Sequence, residues 1–294
     1  MHLRTAAKAL LLAVTTTVAV CAAPTRAVEL ETSVPASFGI NDPDCVPTGQ
    51  VREPVVLIHG TSDNASNWET LIPRLQEQGM CVWAFDYGAD DLTLQNAVPG
   101  MKAIGDLEAS AREVASQIDY VRSVTGAAKV DLVGHSQGGL HEKTFTQMYG
   151  SPDDVNRVVA LGGNFHGTTL NGMAPTFHAI DEVVPKFASF LGTTAGLEQL
   201  QGSDFFARLN ALPDTAAGIM YTSIYTPGDI TVTPNSTSEL NAVPGADVAN
   251  VDLGAVCGES IAHSLLPHDD AALAEVIWGL TRAPGDQPTR CANA

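Results

Sequence analysis

Two rhythms of apolar and polar positions run along this chain. Pro54-Val55-Val56-Leu57-Ile58 is a short unbroken apolar run, which predicts a parallel strand buried on both faces. Trp68, Leu71, Ile72 and Leu75 then fall at helical spacing, with Gly79 as the stop. Cys81 to Phe85 predicts the next strand. Ile104, Leu107, Ala111, Val114, Ile118 and Val121 recur at steps of three and four, which predicts one long amphipathic helix ended by Gly126. Lys129 to Val133 reads as a strand and Gly139 to Tyr149 as a helix, with a tight turn between them. Further strands are expected at Val155–Leu161, Met220–Tyr225 and Val248–Val256, and a closing helix at Asp269–Leu280. Strands that alternate with helices imply an α/β domain whose mostly parallel sheet is covered on both faces.

Two stretches break the rhythm. Glu29 to Val51 is polar, proline-containing and irregular, as expected of an arm laid across the sheet. Thr169 to Asp214 is rich in glycine and isolated apolar residues, with Phe177, Val183, Val184, Phe187, Phe190 and Leu191 among them. It reads either as a cap or lid-like insertion walling a pocket above the strand ends, or as a peripheral helical excursion. No internal repeat and no dividing linker is present, so residues 28–294 are expected to be one domain carrying this insertion.

Charge and cysteines narrow the setting. With 45% apolar residues and a net charge of −18, the 294-residue chain fits a soluble globular protein. That acidity argues against nucleic acid as a partner and against electrostatic docking on anionic lipid. Arg4 and Lys8 precede the apolar run Ala9 to Ala23 and then Pro24-Thr25-Arg26-Ala27. This is the layout of a cleaved secretory signal occupying residues 1–27, and the run is shorter than the ~20 apolar residues of a membrane span. Val20 before Cys21 fits a lipid-modified cysteine poorly. Removing residues 1–27 takes away three basic residues and no acidic one, which moves the net charge to −21. The exported chain keeps Cys45, Cys81, Cys257 and Cys291, an even number that in an oxidising compartment favours two disulfides with three possible connectivities. No C-x-x-C spacing suggests a structural zinc site.

Chemistry centres on Gly134-His135-Ser136-Gln137-Gly138, set between the strand and the helix. A serine on such a turn stands above the sheet edge at a helix N-terminus, and small residues are needed where strand and helix approach closely. Serine needs a base in contact and an acid to orient that base, both on loops after strands at the same sheet edge. Asp229 follows the Met220–Tyr225 strand directly, whereas Asp247 precedes a strand and Asp252 is expected inside one. Among the histidines, His263 stands on the loop after the last strand, and His268 is more suited to capping the closing helix. His59 and His166 are expected to shape the pocket, His135 and His141 to be structural, and His178 to belong to the insertion. Two backbone N–H donors must await the oxyanion. Gln137, after the nucleophile, supplies one; Thr61, in His59-Gly60-Thr61 after the first strand, supplies the other, with its hydroxyl as a third donor.

With these residues assembled, the chain resembles secreted lipases of the α/β-hydrolase fold. Val55-Val56-Leu57-Ile58-His59-Gly60-Thr61, the serine turn and Leu161-Gly162-Gly163-Asn164-Phe165-His166-Gly167-Thr168 are similar to small bacterial class 2 lipases. Tyr225-Thr226-Pro227-Gly228-Asp229, Ala255-Val256-Cys257-Gly258 and Ile261-Ala262-His263 resemble the acid and histidine segments of lipases of the Candida antarctica lipase B type. The likeness covers most of residues 45 to 291, with the insertion aligning poorly. It implies Ser136, Asp229 and His263 as a triad, Thr61 and Gln137 as oxyanion donors, and the pairings Cys45–Cys81 and Cys257–Cys291.

The expected activity is ester hydrolysis by acyl transfer, without metal or cofactor, in a secreted monomer that meets an ester or lipid substrate. A lipase is the leading reading because the insertion is apolar. A short-chain carboxylesterase or polyesterase, an acyltransferase using the same triad, and a non-catalytic binding protein are the alternatives. Asn64-Ala65-Ser66 and Asn235-Ser236-Thr237 fit glycan acceptor triplets.

Overall fold

The computed structural model describes residues 30–89, 97–184 and 193–292. The expected leader and three apolar residues of the insertion, Phe187, Phe190 and Leu191, lie outside the described residues.

Six strands form one all-parallel sheet: β1 (Val55–Ile58), β2 (Val82–Ala84), β3 (Val130–His135), β4 (Val155–Leu161), β5 (Met220–Tyr225) and β6 (Asp247–Asp252). Their spatial order is β2-β1-β3-β4-β5-β6. Successive side chains on a strand leave by opposite faces. Val55, Leu57, Val133, Val159 and Leu161 therefore enter one core, closed by α1 (Leu71–Glu77) and by the closing helix Asp270–Thr281. Val56, Ile58, Leu132, Val158 and Ala160 enter the other, closed by Val114, Ile118 and Val121 of α2 (Leu107–Thr125). Burying each such valine, leucine or isoleucine contributes about 1.5–3 kcal/mol, and both faces of β1 are covered, which is why it reads as an unbroken apolar run.

The irregular arm guards the sheet's β2 edge. The Asn41 side chain accepts from the Ala84 N–H and donates to the Ala84 carbonyl, a pair of bonds that occupies groups a further strand would use. Cys45–Cys81 fastens the arm to the start of β2, and Cys257–Cys291 fastens the C-terminal tail to the body.

Several boundaries differ from expectation. Trp68 belongs to a separate 3-10 turn, Ala65–Trp68, started by the Asn64 side chain. The long helix begins at Leu107, not Ile104, because Asp106 caps it by accepting from the Ala109 N–H. The helix after the serine, α3, spans Gln137–Thr144 and continues as a π turn over Phe145–Tyr149. The last strand stops at Asp252, whose carboxylate accepts from the Gly254 N–H and starts a short helix, Leu253–Cys257. Asp252 is therefore a strand-end cap rather than an interior strand residue. Asn64 and Asn235, in the two glycan triplets, both donate their side-chain amides to backbone carbonyls.

In the insertion lie α4 (Ala174–Val183), α5 (Thr194–Glu198) and α6 (Asp204–Leu209). Two of the attachments that hold it over the sheet edge are made by its own carboxylates. The Glu198 carboxylate accepts from the Leu107 N–H at the start of α2, at 2.7 Å. At the other end Asp214 bonds the buried Lys143 ammonium of α3 at 2.8 Å and the His166 ring at 2.9 Å.

Candidate active site

The turn between β3 and α3 has room for a single residue, and Ser136 occupies it with φ 56° and ψ −115°. A side-chain-bearing residue is strained there. Its N–H donates to the Leu161 carbonyl at 2.9 Å, and its own carbonyl accepts from Leu140 and Asn164. Glycine is required beside it: a Cβ on Gly138 would collide with the Ile58 carbonyl oxygen. Gln137 opens α3, where N–H groups have no preceding helical carbonyl and point out of the helix end.

Asp229 lies on the turn after β5 and His263 on the segment after Leu253–Cys257, at the sheet edge that carries Ser136. The two are joined: His263 Nδ1 is 2.6 Å from Asp229 Oδ2. The other carboxylate oxygen accepts from the Thr231 and Val232 N–H groups at 2.8 and 2.9 Å, which fixes the carboxylate plane. Thr226 Oγ1 accepts from both Gly228 and Ile261 N–H, tying the acid turn to the histidine segment.

His263 and Ser136 meet as walls of one cavity of about 370 Å³. His135 also lines it, its ring tilted against that of His263 with centroids 4.9 Å apart, and donates from Nε2 to the His263 carbonyl. Burial holds the His135 imidazole well below its ordinary pKa, so it is a neutral support. Thr61 stands on the wall beside Ser62 and Asp63. Leu170, Gly196, Gln199 and Leu200 form the insertion's side.

Some expectations do not hold. His59 and His166 are not cavity residues. His59 is buried against Tyr87, its pKa lowered by burial to about 4, and His166 is spent on Asp214 and the Thr237 carbonyl. Of the insertion's apolar residues expected to line a long-acyl pocket, Val183 and Val184 are 80% and 49% exposed. Phe177 lines a separate cavity with His178 and Leu197. The reason is the packing of α4, whose one buried residue is Ala174. The Thr61 hydroxyl does not stand free as a third oxyanion donor: it donates to Gln137 Oε1 at 2.7 Å. Gln199 and Asn164 were not foreseen at all. Gln199 comes from an aperiodic stretch, and nothing in its local sequence marks it as facing Thr61.

The alpha/beta hydrolase fold family matches residues 53–239. The chain belongs to that family. A 2-hydroxy-6-oxononadienedioate/2-hydroxy-6-oxononatrienedioate hydrolase of Escherichia coli is 31% identical over 140 residues, 45% of this chain and 43% of that hydrolase. A triacylglycerol lipase of Vibrio cholerae is 28% identical over 155 residues, 51% of this chain and 44% of that lipase. The chain thus matches less than half the length of these relatives. Among solved structures, Aspergillus fumigatus lipase B superposes with a TM-score of 0.60 at 21% identity, over 81% of this chain and 54% of that one. A Bacillus licheniformis lipase in mature form superposes with a TM-score of 0.53 at 16% identity, over 82% and 95%. At these identities the likeness is one of fold.

Proposed function

We propose that the chain is a secreted serine carboxylic-ester hydrolase acting through an acyl-enzyme, with Ser136, His263 and Asp229 as its triad. The observation that carries this reading is the Asp229–His263 hydrogen bond beside a serine held on a strained turn, with histidine and serine lining one cavity. With Nδ1 committed to Asp229, the imidazole has Nε2 left for the serine proton. Ser136 Oγ attacks the ester carbonyl as His263 takes its proton; the oxyanion rests on the Gln137 and Thr61 N–H groups. His263 then returns the proton to the leaving alcohol, and water repeats the sequence on the acyl-enzyme.

Long-chain esters are the first substrate class, on the ground of what surrounds the cavity. The loops that supply Thr231 and Ser264 to its wall also hold Ile230 and Leu265 70% and 54% exposed. Exposed apolar side chains suit a lipid surface that a strongly acidic protein does not attract by charge. Short-chain esters are the second reading, favoured because Phe177, Val183 and Val184 of the insertion do not line the cavity, which leaves Leu170 and Leu200 as the insertion's large apolar wall residues. Two disulfides, and no helix among the described residues long and apolar enough to cross a membrane, are compatible with an extracellular protein.

Hydrolysis rates over p-nitrophenyl esters of increasing acyl length, with Ser136→Ala alongside, test both levels. Ser136→Ala should lower turnover by three or more orders of magnitude; unchanged turnover refutes the triad. A peak confined to the shortest esters refutes the lipase reading and leaves the esterase.

A further inference from the structure

Thr61 Oγ1, Gln137 Oε1 and Gln199 Nε2 form a triangle of short contacts beside the cavity. Gln199 Nε2 lies 2.7 Å from Thr61 Oγ1, 3.2 Å from Gln137 Oε1 and 3.2 Å from the Ala195 carbonyl oxygen. Carbonyl oxygens only accept, so the atom facing them is the amide nitrogen, with two hydrogens to give. That assignment fixes the rest. Thr61 Oγ1 accepts from Gln199, so its single hydrogen goes to Gln137 Oε1. Gln137 Nε2 in turn faces His141 Nε2 at 3.1 Å, and burial lowers the His141 pKa to about 3, keeping that ring a neutral acceptor.

Swinging the Thr61 hydroxyl towards a developing oxyanion would ordinarily strand Gln137 Oε1, a buried acceptor. Gln199 removes that obstacle. It already reaches Gln137 Oε1, and it continues to donate to Thr61 Oγ1 after the hydroxyl hydrogen has moved. Gln199 is itself firmly placed: it is 6% exposed, and its backbone carbonyl accepts from the Thr168 N–H at 2.9 Å and from Asn164 Nδ2 at 3.2 Å. We propose that Gln199 is a positioning residue of the oxyanion site. It releases the Thr61 hydroxyl from Gln137 as negative charge forms and holds that hydroxyl's oxygen in place. The inference rests on the proposed ester hydrolysis and on Thr61 as an oxyanion residue.

The test uses the full chain, kcat and KM on p-nitrophenyl butyrate, and inhibition by a butyl boronic acid, whose tetrahedral adduct carries the oxyanion. Gln199→Met should lower kcat about 10- to 100-fold, at or below the low end of the range for losing an oxyanion donor outright, with KM nearly unchanged and boronate affinity falling in step. Gln199→Glu is nearly isosteric but accepts the Thr61 hydrogen, so it should be worse than methionine. Thr61→Val should cost a similar factor, and adding Gln199→Met to it should cost little more, since both act through one hydroxyl. Melting temperatures report whether each variant is folded. A glutamate variant near wild type, or losses in Thr61→Val and Gln199→Met that multiply in the double variant, overturns the proposal. If hydrolysis is abolished by Ser136→Ala yet indifferent to Gln199, this inference alone fails. Hydrolysis that is absent, or independent of Ser136, overturns the proposed function and this inference together.

Discussion

Asp229→Asn isolates what the carboxylate contributes. Asparagine keeps an oxygen where Asp229 Oδ1 stands, so the bonds from the Thr231 and Val232 N–H groups survive and the turn is held. In place of Oδ2, 2.6 Å from His263 Nδ1, it presents an NH₂ group, which cannot accept. The imidazole must then accept at Nδ1 and carry its proton on Nε2, the nitrogen needed to take the serine proton. Loss of the negative charge also removes what stabilises the imidazolium in the transition state. In the serine-protease case these combined effects cost about 10⁴-fold, or about 5.5 kcal/mol of barrier. The same loss is expected here in kcat/KM for p-nitrophenyl butyrate, with the melting temperature within a few degrees of wild type. Asp252→Ala is the control. Asp252 caps the Leu253–Cys257 helix, so its removal should cost about 1 kcal/mol of stability and leave kcat/KM within a few-fold. A folded Asp229→Asn enzyme losing less than tenfold refutes the assignment of the acid.

Two further predictions concern the frame around the site. Asp214→Ala leaves the Lys143 ammonium buried without its carboxylate and should destabilise the fold by about 3–5 kcal/mol in urea titration, whereas a loss below about 1 kcal/mol would show that the pair is not structural. Burial opposes ionisation of Asp214, but the bonds from His166 and Lys143 outweigh it and hold the carboxyl well below the usual range. Its contribution is therefore complete above the ordinary carboxylate pKa of about 4 and lost as pH falls below that; wild-type stability should drop there more steeply than that of Asp214→Ala. Replacing both Cys257 and Cys291 by serine opens a loop of sequence separation 34 and should cost about 3–4 kcal/mol. Calorimetry should register that as a melting temperature lower by about 5–10 °C.

What the sequence reveals differs from element to element for physical reasons. β4 and β5 run over Val155–Leu161 and Met220–Tyr225, the spans expected, because turn residues bound each: Pro152-Asp153-Asp154 and Gly162-Gly163 around β4, Gly218 and Pro227-Gly228 around β5. The end of β6 is illegible from hydrophobicity: Val251, Leu253, Ala255 and Val256 continue without a break, and one aspartate side chain converts strand to helix. Positions relative to strand ends bring Asp229 and His263 to the serine's edge, since in a parallel sheet all such loops share one side. Side-chain partnerships between distant segments leave no local trace. Thr61 and Gln199 are separated by 138 positions, and the glutamine lies in a stretch with no apolar period to announce its direction. The exposure of Val183 and Val184 is the same lesson in reverse, because apolar character does not say which face a short helix buries.

The acyl-enzyme at Ser136 is the central claim, and trapping it is the most direct measurement. The protein is incubated with a p-nitrophenyl alkylphosphonate, digested and sequenced by mass spectrometry. One phosphonyl group per chain on Ser136, appearing in step with loss of esterase activity and absent from Ser136→Ala, is the predicted result. Full inactivation with the label on another residue, or full labelling of Ser136 without loss of activity, would contradict it.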